Sequence, residues 1–168
     1  MEYATRRMKR RRTPKRHAAL LKKRREPTSR NDPIIALIAD YFYPCKVFHN
    51  DVHAIGEIWA EDTTDDAVGR LLLVYIYHWV SSLWVVAHAF RDVLKLQDKS
   101  IIGIIDQHFK ELSDFRNATY HYHRTPAKHL QFFSLGKLNW AEELHSELER
   151  YFSDYLTLIK ELDDDVPF

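Results

Sequence analysis

Cysteine occurs once in the 168 residues, at Cys45, so the chain can close no intramolecular disulfide and can build no zinc site on several thiolates. A reducing, intracellular setting is the default that follows. Only 4 glycines and 6 prolines are present; a many-stranded sheet would need more turn residues than that, so helices are favoured. Also missing is an apolar segment behind the charged N-terminus. Ala18-Ala19-Leu20-Leu21 is short and runs at once into Lys22-Lys23-Arg24-Arg25, so no secretion is expected. There is no internal repeat. The length suits one domain with appended segments, because an ordinary core needs roughly 100–150 residues.

What is present is apolar material, 45% of residues with 13% aromatic, enough for a dense core. The net charge of +1 conceals an asymmetry: residues 1–30 hold 13 of the 25 Lys and Arg but only Glu2 and Glu26 of the 24 acids. The chain is thus a basic tail on an acidic body. Pro14, Pro27 and Pro33 interrupt the tail, and too few apolar residues offset the entropy of ordering it, so residues 1–33 are expected to be disordered when free. Its first cluster, Arg6, Arg7, Lys9, Arg10, Arg11, Arg12, Lys15 and Arg16, suits RNA; an anionic membrane or the chain's own acidic body would attract it equally by charge alone.

The body, residues 34–162, reads as helices, followed by a solvated acidic tail over 163–168. The apolar stretch from Ile34 to Phe48 is ambiguous between helix and buried strand, since its periodicity is indistinct. Val52, Ile55 and Trp59 are spaced for a short amphipathic turn or two. Asp62-Thr63-Thr64-Asp65-Asp66 offers caps and first-turn acids for a long helix running to about Leu96. The next helix spans Ser100 to about His123, with Ile101, Ile104, Ile105, His108, Leu112 and Phe115 on one face, and Pro126 stops it. A last helix opens at Asn139 with Glu142 behind it and carries the stripe Leu144, Leu148, Tyr151, Phe152, Tyr155, Leu158 and Ile159. The expectation is an all-α, up-and-down bundle of four to five helices.

Leu71 to Phe90 is long enough to be weighed as a membrane span. His78, Ser81, Ser82 and His88 interrupt it, and Asp66, Arg70, Arg91 and Asp92 crowd its ends. A central bundle helix, with Tyr75, Tyr77, Trp79 and Trp84 as core, is the simpler reading, so no membrane is expected as a partner.

The segment from Phe115 to Arg124 holds the chemistry: Arg116 and Asn117, then His121, Tyr122 and His123, at the end of a helix. An arginine can clamp a phosphate with two parallel donors, and a histidine moves protons near neutral pH. Together they can cut RNA without metal. A base takes the proton of the 2′-hydroxyl, which attacks the adjacent phosphorus; arginine steadies the phosphoryl charge while an acid helps the 5′-oxygen leave. On one straight helix Arg116 and His121 lie about 140° apart, and His123 lies about 10 Å along the axis. A site composed across two copies would bring them together. The plainer readings are a helix-end salt bridge for Arg116, a surface amide for Asn117 and dipole-favoured histidines. His121 and His123 point about 200° apart and would not share a metal ion.

Arg116-Asn117 followed after three residues by His121 resembles the R-x4-6-H motif of HEPN domains, including the polar residue that commonly follows the arginine. The likeness extends to the helical layout over about residues 34–162. It implies a helical bundle that dimerises with its motifs facing across a cleft, and an endoribonuclease that leaves a 2′,3′-cyclic phosphate and needs neither metal nor cofactor. It also implies a cytoplasmic toxin or antiviral effector whose partners are RNA, a second copy and an antitoxin or other regulator. Arg116 would hold the scissile phosphate, His121 would be the general acid or base, and Asn117 would orient them. His123 satisfies the longer spacing, and Tyr122 stands between the two histidines. One branch of HEPN toxins has a tyrosine two residues after the catalytic histidine, which a partner nucleotidyltransferase modifies; here that position is His123. The competing reading is a non-catalytic HEPN-like module that binds RNA or protein.

Overall fold

The computed structural model describes residues 32–120 and 138–164. The first helix, α1 (Pro33–Leu37), starts where Asp32 accepts a hydrogen bond from the Ile34 amide at 2.8 Å. Pro33 costs nothing there, because the first amide of a helix has no partner in any case. A π turn over Ile38–Phe42 joins α1 to α2 (Tyr43–Glu61) without a break. Pro44 accounts for the wide turn. In α geometry its ring would collide with the Asp40 carbonyl, and a turn in which the Tyr43 amide reaches back to Ile38 relieves that crowding. Because α2 runs unbroken through Phe48 to Asp51, the two segments that the sequence separates, 34–48 and 51–61, are one rod. Val52, Ile55 and Trp59 are half-buried along its inner face, so they belong to a long helix and not to an isolated turn or two.

Asp62 closes the next turn by accepting from the Thr64 amide and hydroxyl, and Asp65 caps α3 (Asp66–His88) by accepting from Ala67 and Val68 at 2.8 and 3.1 Å. Each cap removes an orphan donor and contributes about 1 kcal/mol. A second π turn, Ala89–Val93, ends that rod. Lys95 takes the left-handed conformation (φ 53°) beyond it, and the Leu96 amide returns to the Phe90 carbonyl at 2.9 Å, which satisfies a helix-end acceptor. Helix α4 (Lys99–Tyr120) follows, its start held by Asp98, which accepts from Ser100 and Ile101. Helix α5 (Asn139–Asp164) begins one residue earlier in its capping than the sequence suggests: the Leu138 carbonyl accepts from Ala141 and Glu142.

The protein is all-α, with no strand among the described residues. Helix α2 packs on α3, α3 on α4 and α4 on α5. The expected stripes meet in the core. Ile101, Ile105, Leu112 and Phe115 of α4 and Leu144, Leu148, Tyr151, Phe152, Tyr155 and Ile159 of α5 are buried against Trp79, Leu83 and Phe90. Each large apolar side chain removed from water there contributes roughly 1.5–3 kcal/mol. The rod Asp66–Val93 has the length and hydropathy (1.4) to cross a bilayer, and 44% of that apolar window is buried in the bundle.

Candidate active site at the end of helix α4

The last turn of α4 is fixed to α3 by a small polar contact. Thr119 Oγ1 donates back to the Phe115 carbonyl at 2.9 Å, and the Ser81 hydroxyl, fully buried, reaches Thr119 at 2.6 Å. Thr119 Oγ1 also lies 3.4 Å from the Tyr77 carbonyl, so the hydroxyl pair bridges α4 to α3. This contact sets the rotation of the turn that carries Arg116 and Asn117.

Arg116 is half-buried, with its guanidinium carbon 5.1 Å from the centre of the Trp84 ring, and it donates to Asn117 Oδ1 at 3.0 Å. The Trp84 ring is itself held by His88, stacked at 5.1 Å and 12°. An aromatic face under a guanidinium steadies the cation without neutralising it. Arg116 makes no ion pair with any described residue, whereas Arg91 pairs with Asp92 and Asp106, and Arg150 with Asp98, Glu147 and Asp154. The helix-end salt bridge expected on the plainer reading is thus not formed within the described residues. Asn117 uses its carbonyl oxygen on Arg116, and its two amide hydrogens have no acceptor among the described residues.

Helix α4 is described through Tyr120. His121, Tyr122 and His123 lie outside the described residues, as does the tail cluster Arg6, Arg7, Lys9, Arg10, Arg11, Arg12, Lys15 and Arg16. Beside the motif runs an apolar strip on the surface. Tyr120 is 57% exposed and meets the His78 ring edge-on at 6.4 Å; one and two turns back along α3 lie Val74 and Leu71, about half-exposed. His78 stacks on Phe48 of α2, so it is half-buried at this surface and not in the core, and His88 pairs with Asp92 at 2.9 Å.

A second polar group escaped sequence reasoning. His49 and His53 of α2 and Glu142 of α5 place three ligand atoms within 4.8 Å of one another. His145, one turn beyond Glu142, is buried and stacks on His49 at 4.1 Å and 19°. Trp79 Nε1 donates to His145 Nδ1 at 3.2 Å, which puts the histidine's proton on Nε2. Burial, and secondly the neighbouring His49, hold the His145 pKa down to about 4, so the ring is neutral at neutral pH. For Glu142, burial works to raise the pKa, but the His49 hydrogen bond and the nearby imidazoles outweigh it and hold the carboxyl below its ordinary range. The i, i+4 spacing of His49 and His53 was visible in the sequence; their carboxylate partner stands 93 positions from His49.

Compared with protein-family models, with curated proteins and with solved structures, the chain matches none.

Proposed function

We propose that this chain is a metal-independent endoribonuclease of the HEPN type, with Arg116 binding the scissile phosphate, Asn117 orienting it and His121 transferring protons. The observation that carries this reading is the state of Arg116. It is the arginine on α4, held on Trp84 and tied to an amide, with no carboxylate among the described residues to neutralise it. A guanidinium in that state retains its donors for an oxyanion, and a phosphate accepts two of them in parallel. The next residue after the described end of α4 is His121, so proton transfer and phosphate binding are adjacent in sequence.

Two copies complete the site. The strip Leu71, Val74 and Tyr120 beside the motif offers the second copy an apolar seat, and this reading requires that docking bring each Arg116 toward the partner's proton-transfer group. The basic tail adds RNA affinity that falls with salt, because each phosphate it neutralises releases counterions. The enzyme acts in the cytoplasm as a toxin or antiviral effector, under an antitoxin or other regulatory protein.

The test is cleavage of a labelled structured RNA in excess EDTA by the native chain, Arg116→Ala and His121→Ala, with analysis of the product ends. Cyclic phosphate ends from the native chain alone establish the nuclease. Equal RNA binding with no cutting by any of the three replaces it with a binding module on the same fold.

A further inference from the structure

We propose that His49, His53 and Glu142 form a binding site for a first-row divalent cation, zinc above all, which clips α2 to α5.

His49 Nε2 lies 2.6 Å from Glu142 Oε2 and 3.1 Å from His53 Nε2, and His53 Nε2 lies 3.5 Å from Glu142 Oε1. Ligands bound tetrahedrally to zinc at about 2.0–2.1 Å stand roughly 3.3–3.4 Å from one another. The imidazole nitrogens are 3.1 Å apart, and the two oxygens of the Glu142 carboxylate stand 2.6 and 3.5 Å from them, on either side of that value, so an ion is seated by side-chain adjustments alone.

Both Nε2 atoms, one helical turn apart on α2, converge on each other and on one carboxylate of α5. A cation at the centre takes both imidazole lone pairs and the carboxylate charge together. Two neutral imidazoles with one carboxylate are a donor set suited to zinc and to iron, nickel or copper, and zinc imposes the fewest geometric demands.

The surroundings are built to hold the ligands in place. His49 is packed between the His145 ring at 4.1 Å and the Trp79 ring at 4.8 Å, so its ring plane is fixed, and His145 is fixed in turn by Trp79 Nε1. His53 is the solvent-facing member, its side chain 58% exposed, which leaves the ion an open side for water. A cavity of about 390 Å³, lined by Val52, Gly56, Leu72 and Ile76 among others, opens beside His53 and Glu142. The site is separate from the Arg116 motif. Trp79 serves one and Trp84 the other, and five residues of helix turn them about 140° apart around α3.

The experiment is calorimetric titration of the EDTA-stripped and dialysed full chain with zinc chloride, repeated with cobalt chloride while visible absorption is followed. One equivalent of metal, cobalt bands of a four- or five-coordinate site and a rise in Tm of several degrees on metal addition are expected. Because His53 is exposed, His53→Gln leaves the fold intact and should weaken binding by at least about 100-fold, since even outer-shell changes cost roughly 10–100-fold. Glu142→Gln should do the same. A His121→Ala/His123→Ala chain should bind as the native one does. Binding unchanged in His53→Gln and Glu142→Gln, or lost with His121 and His123, would place the metal elsewhere and overturn the proposal, as would no binding at all. The readout is binding, so this outcome and that of the RNA cleavage test are independent.

Discussion

Tyr155 of α5 donates its hydroxyl hydrogen bond to Asp32, the cap of α1, and so joins residues 123 apart in sequence. Both are buried, Asp32 at 5% and Tyr155 at 0% exposure. The same carboxylate starts the first helix and holds the last one beside it. Tyr155→Phe keeps the ring and removes the donor, which leaves the carboxylate less satisfied in a dry setting. A loss of about 1–3 kcal/mol is expected, read as a lower urea midpoint with unchanged slope.

Arg116 is expected to be irreplaceable by lysine. A lysine would keep the charge but lose the planar fork and the stacking on Trp84. Arg116→Lys should therefore cut RNA about 10²–10³-fold more slowly than the native chain, the range for losing one preorganised oxyanion donor, while RNA binding in gel-shift assays changes much less.

The Ser81–Thr119 contact predicts a coupled pair. Thr119→Val is close to isosteric and strands the buried Ser81 hydroxyl, at a cost of about 1–2 kcal/mol. Adding Ser81→Ala removes the stranded group, so the double variant should be more stable than the sum of the two single changes implies. Denaturation of the four chains gives the coupling energy directly.

His145 predicts a pH dependence with a definite sign. Its folded pKa is held down to about 4 from the usual 6.5, so the unfolded chain takes up a proton more readily than the folded one. Stability from this group is complete above about pH 6.5 and is lost as the pH falls toward 4. Between pH 7 and 5 the expected loss is about 2 kcal/mol. His145→Gln should flatten that part of the stability curve, measured in EDTA so that metal binding does not add its own slope.

The helical stripes were legible because 3.6-residue spacing of large apolar groups leaves few alternatives: those of α4 and α5 pack as read, with Leu158 and Ile104 at their edges. The unity of α1 and α2 was not legible, because the periodicity over 34–48 is indistinct, and the π turn that carries the rod past Pro44 shifts the phase of the apolar face. The cap of α5 fell at Leu138 because a backbone carbonyl, which every residue has, did the capping. Of the candidate site, Arg116 and Asn117 could be named from their spacing to His121, but that no carboxylate among the described residues pairs with Arg116 depends on which acids fold next to it. His49, His53 and Glu142 went unread for the same reason: a pair of histidines one turn apart has no meaning until another helix brings the third ligand.

The π turn at Ile38–Phe42 means that this rod holds one residue more than its neighbours in the bundle require. Leu37, and not Ile38, takes the inward position, while Ala39, Asp40 and Tyr41 are all exposed. Deleting Ala39 together with Pro44→Ala, which removes the colliding ring, should let the turn tighten to ordinary α geometry with Ile34 and Leu37 still facing the core. A one-residue deletion anywhere from Phe48 to Trp59 has no such slack and would rotate every following side chain by about 100°. Tolerance to changes in length is thus concentrated in one turn of the molecule, upstream of the histidines whose angular placement must not change.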